Sequence, residues 1–585
     1  MKTISIALAL CVSSFTFSQT QPDKLDPTRK NYSTTLTYYE IVSSYEAFAK
    51  KSTSVKLFTY GTTDVGKPLQ LLVISKNKNF NPDSLRKQNK RILLINNGIH
   101  PGEPDGIDAS VELVNFLLKD ETKIPNDVVI CIIPVYNIDG CLNRGKYSRA
   151  NQNGPAEYGF RGNAQNLDLN RDFVKADAEN TKTFIKIFQE WKPDVFVDTH
   201  TSDGADYQYV MTLIATQRDK LNPILSKYMT EQMLPQLYDK MKAKKYEMCP
   251  YVETKEETPD KGVVEFLETP RFSSGYAALF NCISFVSETH MWKPYNARVW
   301  ATYEFLFSLI EVTEKDAWRI GKLKSFVETE SISQTEFFLN YKLDTTKFDS
   351  IDFKGYEAIY KTSTVTGLQR LFYDRTKPYN KKIRFYNHYS PSVKINKPLI
   401  YIIPQAWKDV IERMKLNGVE MERLSKDTSI TCEVYYIASY QTSKNPYEGH
   451  YPHHSTEIKK ETQTLNFYKG DYVVYTYQTC NRYIVETLEP ESDDSFFAWN
   501  FFDAILNQKE WFSDYIFEEK AEEILKANPK LKEELEAKKK ADKDFADNHW
   551  AQLAFIYKNS IYYEKSHNRY PVARLNEFIQ LPLQN

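Results

Sequence analysis

An excess of charge of one sign is what this chain most plainly lacks. Its 76 basic and 77 acidic residues leave a formal net charge of -1. That removes the electrostatic case for nucleic acid or an anionic membrane surface as a partner. Beyond the first twenty residues no run approaches the roughly 18 consecutive apolar residues of a membrane-spanning helix, so no membrane span is expected. Cysteine is scarce, 7 in 585 residues, and no two form Cys-x-x-Cys. A thioredoxin-like redox motif is thereby excluded. The Gly-x-Ser-x-Gly elbow of many serine hydrolases is absent as well. There is no internal repeat and no low-complexity linker.

What is present describes a globular protein of two or three domains. Apolar residues make up 41% and charged residues 26%, ordinary proportions for such a chain. Aromatic residues reach 14%, with 40 tyrosines, which favours strand and sheet filling. The N-terminus reads as a secretory signal over 1–18: Lys2, an apolar run from Ile4 to Phe17, and small residues Thr16 and Ser18 before a cut ahead of Gln19. Leu10 before Cys11 argues against a lipoprotein acceptor. The mature chain is therefore expected outside the cytoplasm, periplasmic or extracellular. Of its six cysteines, Cys131 and Cys282 lie in apolar runs and read as small buried hydrophobes. Spacing leaves open any disulfide, such as Cys432 with Cys480.

The order of elements points to an α/β fold. Thr37-x-x-Glu40 is a capping box, and Ile41, Tyr45, Phe48 and Ala49 follow at helical spacing. Strands are expected over 55–60, 69–74, 91–96, 128–136 and 195–199, and near 282–287. Helices are expected near 109–119, 177–191 and 218–248. From residue 91 strands alternate with helices. That alternation implies a mostly parallel, twisted mixed sheet covered on both faces. Between strand and helix, residues 137–176 form a loop too long to be a plain connection.

Residues suited to chemistry collect where strands end. Asn96 to Asp108 is a strand-to-helix loop containing His100-Pro101-Gly102-Glu103. A histidine and a carboxylate three apart, between glycines and prolines, can aim two donors at one point. A catalytic zinc takes three such protein ligands and keeps a fourth position open. Taken alone, the motif is more often a solvated turn. His200 ends the apolar strand Val195-Phe196-Val197, on the sheet edge where α/β proteins bind ligands, and Asp198 and Thr199 stand ready to orient it. Glu288 ends a second apolar strand, a costly place for a carboxylate unless it is paired or used. The long loop carries Arg149, Arg161 and Asn166-Leu167-Asp168-Leu169-Asn170-Arg171-Asp172. An arginine there suits a carboxylate, although pairing with Asp168 or Asp172 is the plainer reading.

Together these pieces, over about 36–312, resemble the zinc carboxypeptidases of the carboxypeptidase A-like family. The motifs run in the family's order: His-x-x-Glu, Asn137-Ile138-Asp139-Gly140, Asp168-x-Asn170-Arg171, a strand-end His200 and a strand-end Glu288. The resemblance implies one zinc ion held by His100, Glu103 and His200, with Glu288 as the base that activates water. It implies Asn170 and Arg171 as holders of a substrate carboxylate and Arg161 as the group that polarises the scissile carbonyl, with Arg149 the alternative. Tyr276 is assigned to substrate as the family's mobile tyrosine. Two departures stand out: Asn-Arg-Asp in place of Asn-Arg-Asn, and Asn-Ile-Asp-Gly in place of Asn-Pro-Asp-Gly. The activity implied is removal of C-terminal residues from peptide or protein substrates. A zinc amidase or cell-wall peptidase of the same fold is the alternative, and a zinc-binding recognition protein without activity is a further one.

The expected organisation is a signal peptide (1–18), a catalytic domain (19–320), a β-rich accessory domain (321–490) and a helical C-terminal region (491–585). Within the accessory domain, Leu399 to Pro404 and Ala406 to Leu416 read as strand then helix, stopped by Gly418. Gly449-His450-Tyr451-Pro452-His453-His454 reads as a polar loop in preference to a metal site. Near the end, Glu518–Lys526 and Leu531–Asp547 read as charged helices split by Pro529.

Overall fold

A computed structural model describes residues 30–584; the expected signal peptide lies outside them. Ten strands belong to the first half: β1 (Val55–Thr62), β2 (Pro68–Ile74), β3 (Arg91–Asn97), β4 (Val128–Ile133), β5 (Val195–Ser202), β6 (Met211–Ala215), β7 (Met248–Pro250), β8 (Glu253–Thr254), β9 (Val263–Val264) and β10 (Ile283–His290). Eight of them form one sheet in the order β1-β2-β4-β3-β5-β10-β6-β7. The centre, β4-β3-β5-β10, is parallel throughout. Antiparallel pairs flank it on both sides, β2 with β4 and β6 with β10. This is the mixed α/β sheet the sequence implied.

The central strands are apolar because both faces are covered. All seven residues of β3 and all six of β4 are buried. Phe196 of β5 packs on Phe184 and Phe188 of helix Glu179–Trp191. Thr199, of opposite parity on the same strand, faces Gly106 of helix Asp105–Lys119. A side chain at Gly106 would sit 1.9 Å from the Thr199 hydroxyl, so glycine is what lets that helix lie close to the sheet. The helix therefore starts at Asp105, four residues before the expected 109. Gly106 and Asp108 read locally as loop, and the packing requirement overrides them.

Other differences have similar causes. Strand β6, Met211–Ala215, was not anticipated; it is short and lies between polar turns. The helix expected over 218–248 runs instead from Pro223 to Ala243, through a π-helical turn at Met229–Met233. The loop 137–176 contains a short helix, Ile138–Leu142, and a 3-10 turn, Leu169–Arg171. All six cysteines among the described residues are free and buried.

The second half adds β11 (Glu336–Leu343), β12 (Asp349–Thr362), β13 (Gln369–Tyr386), β14 (Tyr389–Asn396), β15 (Ile400–Ile403), β16 (Glu422–Arg423), β17 (Thr428–Thr442), β18 (His453–Phe467), β19 (Tyr472–Tyr475) and β20 (Ala573–Leu575). Its parts are stitched to the first half and to each other. The long hairpin β12–β13 continues into β9 and β8. A six-stranded sheet has the order β16-β19-β15-β20-β17-β18, so residues 573–575 lie inside a sheet whose other strands end at residue 475. The helices Asp514–Ala527, Pro529–Ala541 and His549–Lys558 pack into a separate cluster around Phe517, Leu531, Leu535 and Tyr557. No helix among the described residues is long and apolar enough to cross a membrane.

Strand β20 hydrogen-bonds β15 on one side and β17 on the other, and Arg574 pairs with buried Glu489 at 3.1 Å. A chain ended after residue 568 is expected to lose the cooperative melting transition and to fall largely into the insoluble fraction. Calorimetry showing an unchanged melt would contradict this account of the sheet.

Candidate metal centre and cleft

The loop after β3 is held by its neighbours before any side chain acts. Gly98 has a φ of +66°, a conformation that favours glycine. The side-chain amide of Asn137 donates to the carbonyls of Ile99 (3.2 Å) and Arg161 (2.9 Å), and its oxygen accepts from Gly140 N. Asn137, the first residue of the Asn-x-Asp-Gly motif, thus ties two loops together. The Glu103 amide donates to the His100 carbonyl at 2.8 Å and closes a turn that puts both side chains on one side.

His200, on β5, lies directly opposite Glu288 on parallel β10. Donor atoms of His100, Glu103 and His200 all fall within 4.8 Å of one another, and all three residues are buried. The His100 and His200 rings are 4.8 Å apart, centre to centre. Each ring is fixed from behind. His100 Nε2 is 2.8 Å from an Asp168 carboxylate oxygen, and His200 Nε2 is 2.9 Å from one of Asp198. Both Nδ1 atoms are left facing Glu103, at 3.3 and 3.0 Å. His100 Nδ1 is a buried polar atom without a hydrogen bond among the described residues. Two imidazoles braced by carboxylates, with their inner nitrogens converging on a third donor, form the outer shell that metal-binding histidines need. The residues fit a tetrahedral zinc with one position left open.

The electrostatics point the same way. Burial would raise the Glu103 carboxyl, but Arg149 and His100 hold it well below the usual carboxylate range. Burial would discharge His200, but Asp198 and Glu103 pull its imidazole well above the ordinary histidine value. Two acids stand against each histidine, and Arg149, Arg161 and Arg171 offset part of their charge from the outer side.

These residues line one cleft of about 460 Å³ with Glu288, Arg149, Arg161, Asn170 and Arg171. Loss of hydration pushes the Glu288 carboxyl up to about 8, against the pull of His200 and with repulsion from Glu103 and Asp198. Arg161 bonds Asp168 through Nε (2.9 Å) and Nη2 (2.8 Å), and its side chain remains 45% exposed. Arg149 is 14% exposed and bonds Gln152, Glu103 and the Thr201 carbonyl. Arg171 lies over the Phe272 ring at 4.3 Å, and Asn170 accepts from Ser273 N at 3.1 Å.

One assignment is corrected. Tyr276 does not face the cleft. It lies fully buried in helix Ser273–Ala278, against Phe173, Phe188 and Phe280. Its hydroxyl donates to Asn417 Oδ1 at 2.7 Å and accepts from Gln189 at 3.2 Å. In sequence, Pro270-Arg271-Phe272-Ser273-Ser274-Gly275-Tyr276 has the texture of a turn. That glycine instead allows close packing, since a Cβ there would meet the Thr269 carbonyl at 2.0 Å. Tyr251, Phe266, Glu268 and Phe272 line the cleft and were not foreseen. No spacing rule marks them, since they sit in a charged, loop-like stretch.

Two outcomes follow. Asp198→Asn keeps the shape but weakens the brace on His200, so metal affinity should fall roughly 10- to 100-fold in a chelator competition titration. Tyr276→Phe should cost about 1–2 kcal/mol of stability by denaturant melt and leave KM for peptides unchanged; a raised KM would return Tyr276 to the cleft.

Comparison with known proteins finds likenesses in both sequence and structure. The zinc carboxypeptidase family matches residues 41–271, a stretch that holds His100, Glu103, Asn170, Arg171 and His200. Carboxypeptidase 2 of Trichophyton equinum is 22% identical over 468 residues, covering 73% of this chain and 76% of that protein. Carboxypeptidase 2 of Trichophyton rubrum is 21% identical over 464 residues, with the same coverage of 73% and 76%. Among solved structures, a metallo-carboxypeptidase from Burkholderia cenocepacia aligns with 15% identity and a TM-score of 0.37, over 48% of this chain and 70% of that one. The chain carries a domain of the zinc carboxypeptidase family, and with it belongs among the metallopeptidase hydrolases.

Proposed function

We propose that the protein hydrolyses the last peptide bond of peptide substrates, with His100, Glu103 and His200 holding a single zinc ion. One arrangement carries this reading: a three-donor nest, a carboxylate one strand away, and an arginine cluster, all opening into one cleft. Zinc bound there supplies a Lewis acid that acidifies water and polarises a carbonyl.

The side chains divide the remaining work. Glu288, directly opposite His200 on the neighbouring strand and lining the same cleft, takes a proton from water as the water's oxygen adds to the scissile carbonyl. The C–N bond then breaks, and the same carboxyl returns the proton to the leaving amine. Arg161 is the donor for the developing oxyanion, since its guanidinium is the more exposed of the two candidates. One such preorganised donor is worth on the order of 3–4 kcal/mol. Arg171 and Asn170 receive the substrate's terminal carboxylate, and the Nη2 of Arg171 has no partner among the described residues. A chain exported from residue 19 onward would meet peptides outside the cytoplasm. A same-fold amidase or muropeptide peptidase would use the same centre on a different acyl or cell-wall substrate.

In the zinc-loaded enzyme, Glu288→Gln should keep one equivalent of metal and lose roughly 100-fold or more in kcat. A mass-spectrometric digest of free-acid peptides, C-terminal amides and muropeptides should show release from the free acids alone. Near-normal turnover by the variant, or equal cleavage of the amides, would overturn the base or the exopeptidase assignment respectively.

A further inference from the structure

The loop between β17 and β18 reaches out of the six-stranded sheet and touches the cleft wall. Its tip is Tyr447-Glu448-Gly449-His450. The Tyr447 amide donates to the His450 carbonyl at 2.8 Å, and the His450 amide returns the bond at 3.1 Å. Glu448 has a φ of +50° and Gly449 a φ of +82°. Positive φ at both central positions defines the tight turn that normally takes Asn-Gly or Gly-Gly. Glutamate is a poor choice there, because its Cβ crowds the backbone in the left-handed region. A residue that breaks a local rule is a candidate for a role elsewhere.

The role is visible in its contacts. Glu448 Oε2 accepts from the Asp168 amide at 2.6 Å. The Tyr447 hydroxyl accepts from Arg171 Nε at 3.1 Å. Asp168 is the carboxylate behind His100 and beside Arg161, and Arg171 opens into the cleft. Arg171 is thereby held on three sides. Phe272 lies under its plane, Tyr447 holds Nε, and the Asn170 carbonyl holds Nη1 at 2.9 Å. Only the Nη2 edge is left to face a ligand. The tip itself is anchored: the Tyr447 ring stacks on buried Trp499 with 6.2 Å between centres, and His450 pairs with Asp177 at 2.9 Å.

We propose that Tyr447 and Glu448 are positioning residues, supplied by the sheet outside the zinc-binding domain, that set the orientation of the carboxylate-binding arginine. This rests on the reading of Arg171 as the anchor for the substrate's terminus. An arginine fork loses less entropy on binding when its geometry is fixed beforehand. The effect of Tyr447 belongs to substrate binding, because its hydroxyl reaches the cleft through Arg171; Glu448 acts through Asp168, which also stands behind His100 and beside Arg161.

The test uses the full-length zinc enzyme with Tyr447→Phe, Glu448→Asn and Arg171→Ala. Each is measured for KM and kcat on an N-acylated dipeptide. Each is also measured for the Kd of a dipeptide analogue whose scissile amide is reduced to CH2–NH, by calorimetry, and for Tm. Tyr447→Phe keeps the ring on Trp499 and should raise KM and Kd roughly three- to tenfold, the scale of one hydrogen bond to a charged group, with kcat within about twofold. Glu448→Asn should shift KM and Kd in the same direction while Tm holds or rises, since asparagine tolerates this turn. If Arg171→Ala raises KM but both hairpin variants keep wild-type KM and Kd, or lose only Tm, the hairpin proposal fails and the anchor stands. If Arg171→Ala changes neither KM nor Kd, both fall.

Discussion

The centre depends on two carboxylates gripping two imidazoles from behind. Asp168 and Asp198 take the outer nitrogens of His100 and His200, so each inner nitrogen points at Glu103. Without that grip each ring has freedom about χ2, and the donors lose their common target. The grip explains why so much buried acid is tolerated here. Isolated carboxylates away from water are costly. Asp168 escapes that cost through His100, Arg161 and Arg171, which hold its carboxyl well below the usual range despite burial.

The sheet supplies what the grip needs. The switch in strand order at β3, with β4 on one side and β5 on the other, opens a crevice at the carboxyl ends of the strands. His100 and Glu103 follow β3, while His200 and Glu288 face each other across β5 and β10. Register does the rest, because a one-residue slip between β5 and β10 would send Glu288 to the opposite face.

Legibility from sequence followed how local the cause was. The buried strands, the first helix and its capping box were readable because their signals lie within a few residues. His100, Glu103, His200 and Glu288 were readable because each ends or follows an apolar strand, and the structure brings them into one cleft. The start of helix Asp105–Lys119 was not readable, because Gly106 is tolerated only through its contact with Thr199. Tyr276 was misplaced for a related reason, its environment being set by Asn417 from more than a hundred residues away. The strand Ala573–Leu575 gave no signal in a region otherwise patterned as helix, because three residues are too few to show a period.

That short strand has a consequence for how the protein comes into being. During synthesis the cluster of His100, Glu103 and His200 and the carboxylate at 288 leave the ribosome while about half the chain is still unmade. The sheet that carries the β17–β18 turn closes only when residues 573–575 arrive between β15 and β17. Until then the arginine wall of the cleft lacks its outer brace. Damage confined to residues 573–575 would thus reach the wall around Arg171 through the sheet and the β17–β18 turn, without touching His100, Glu103 or His200.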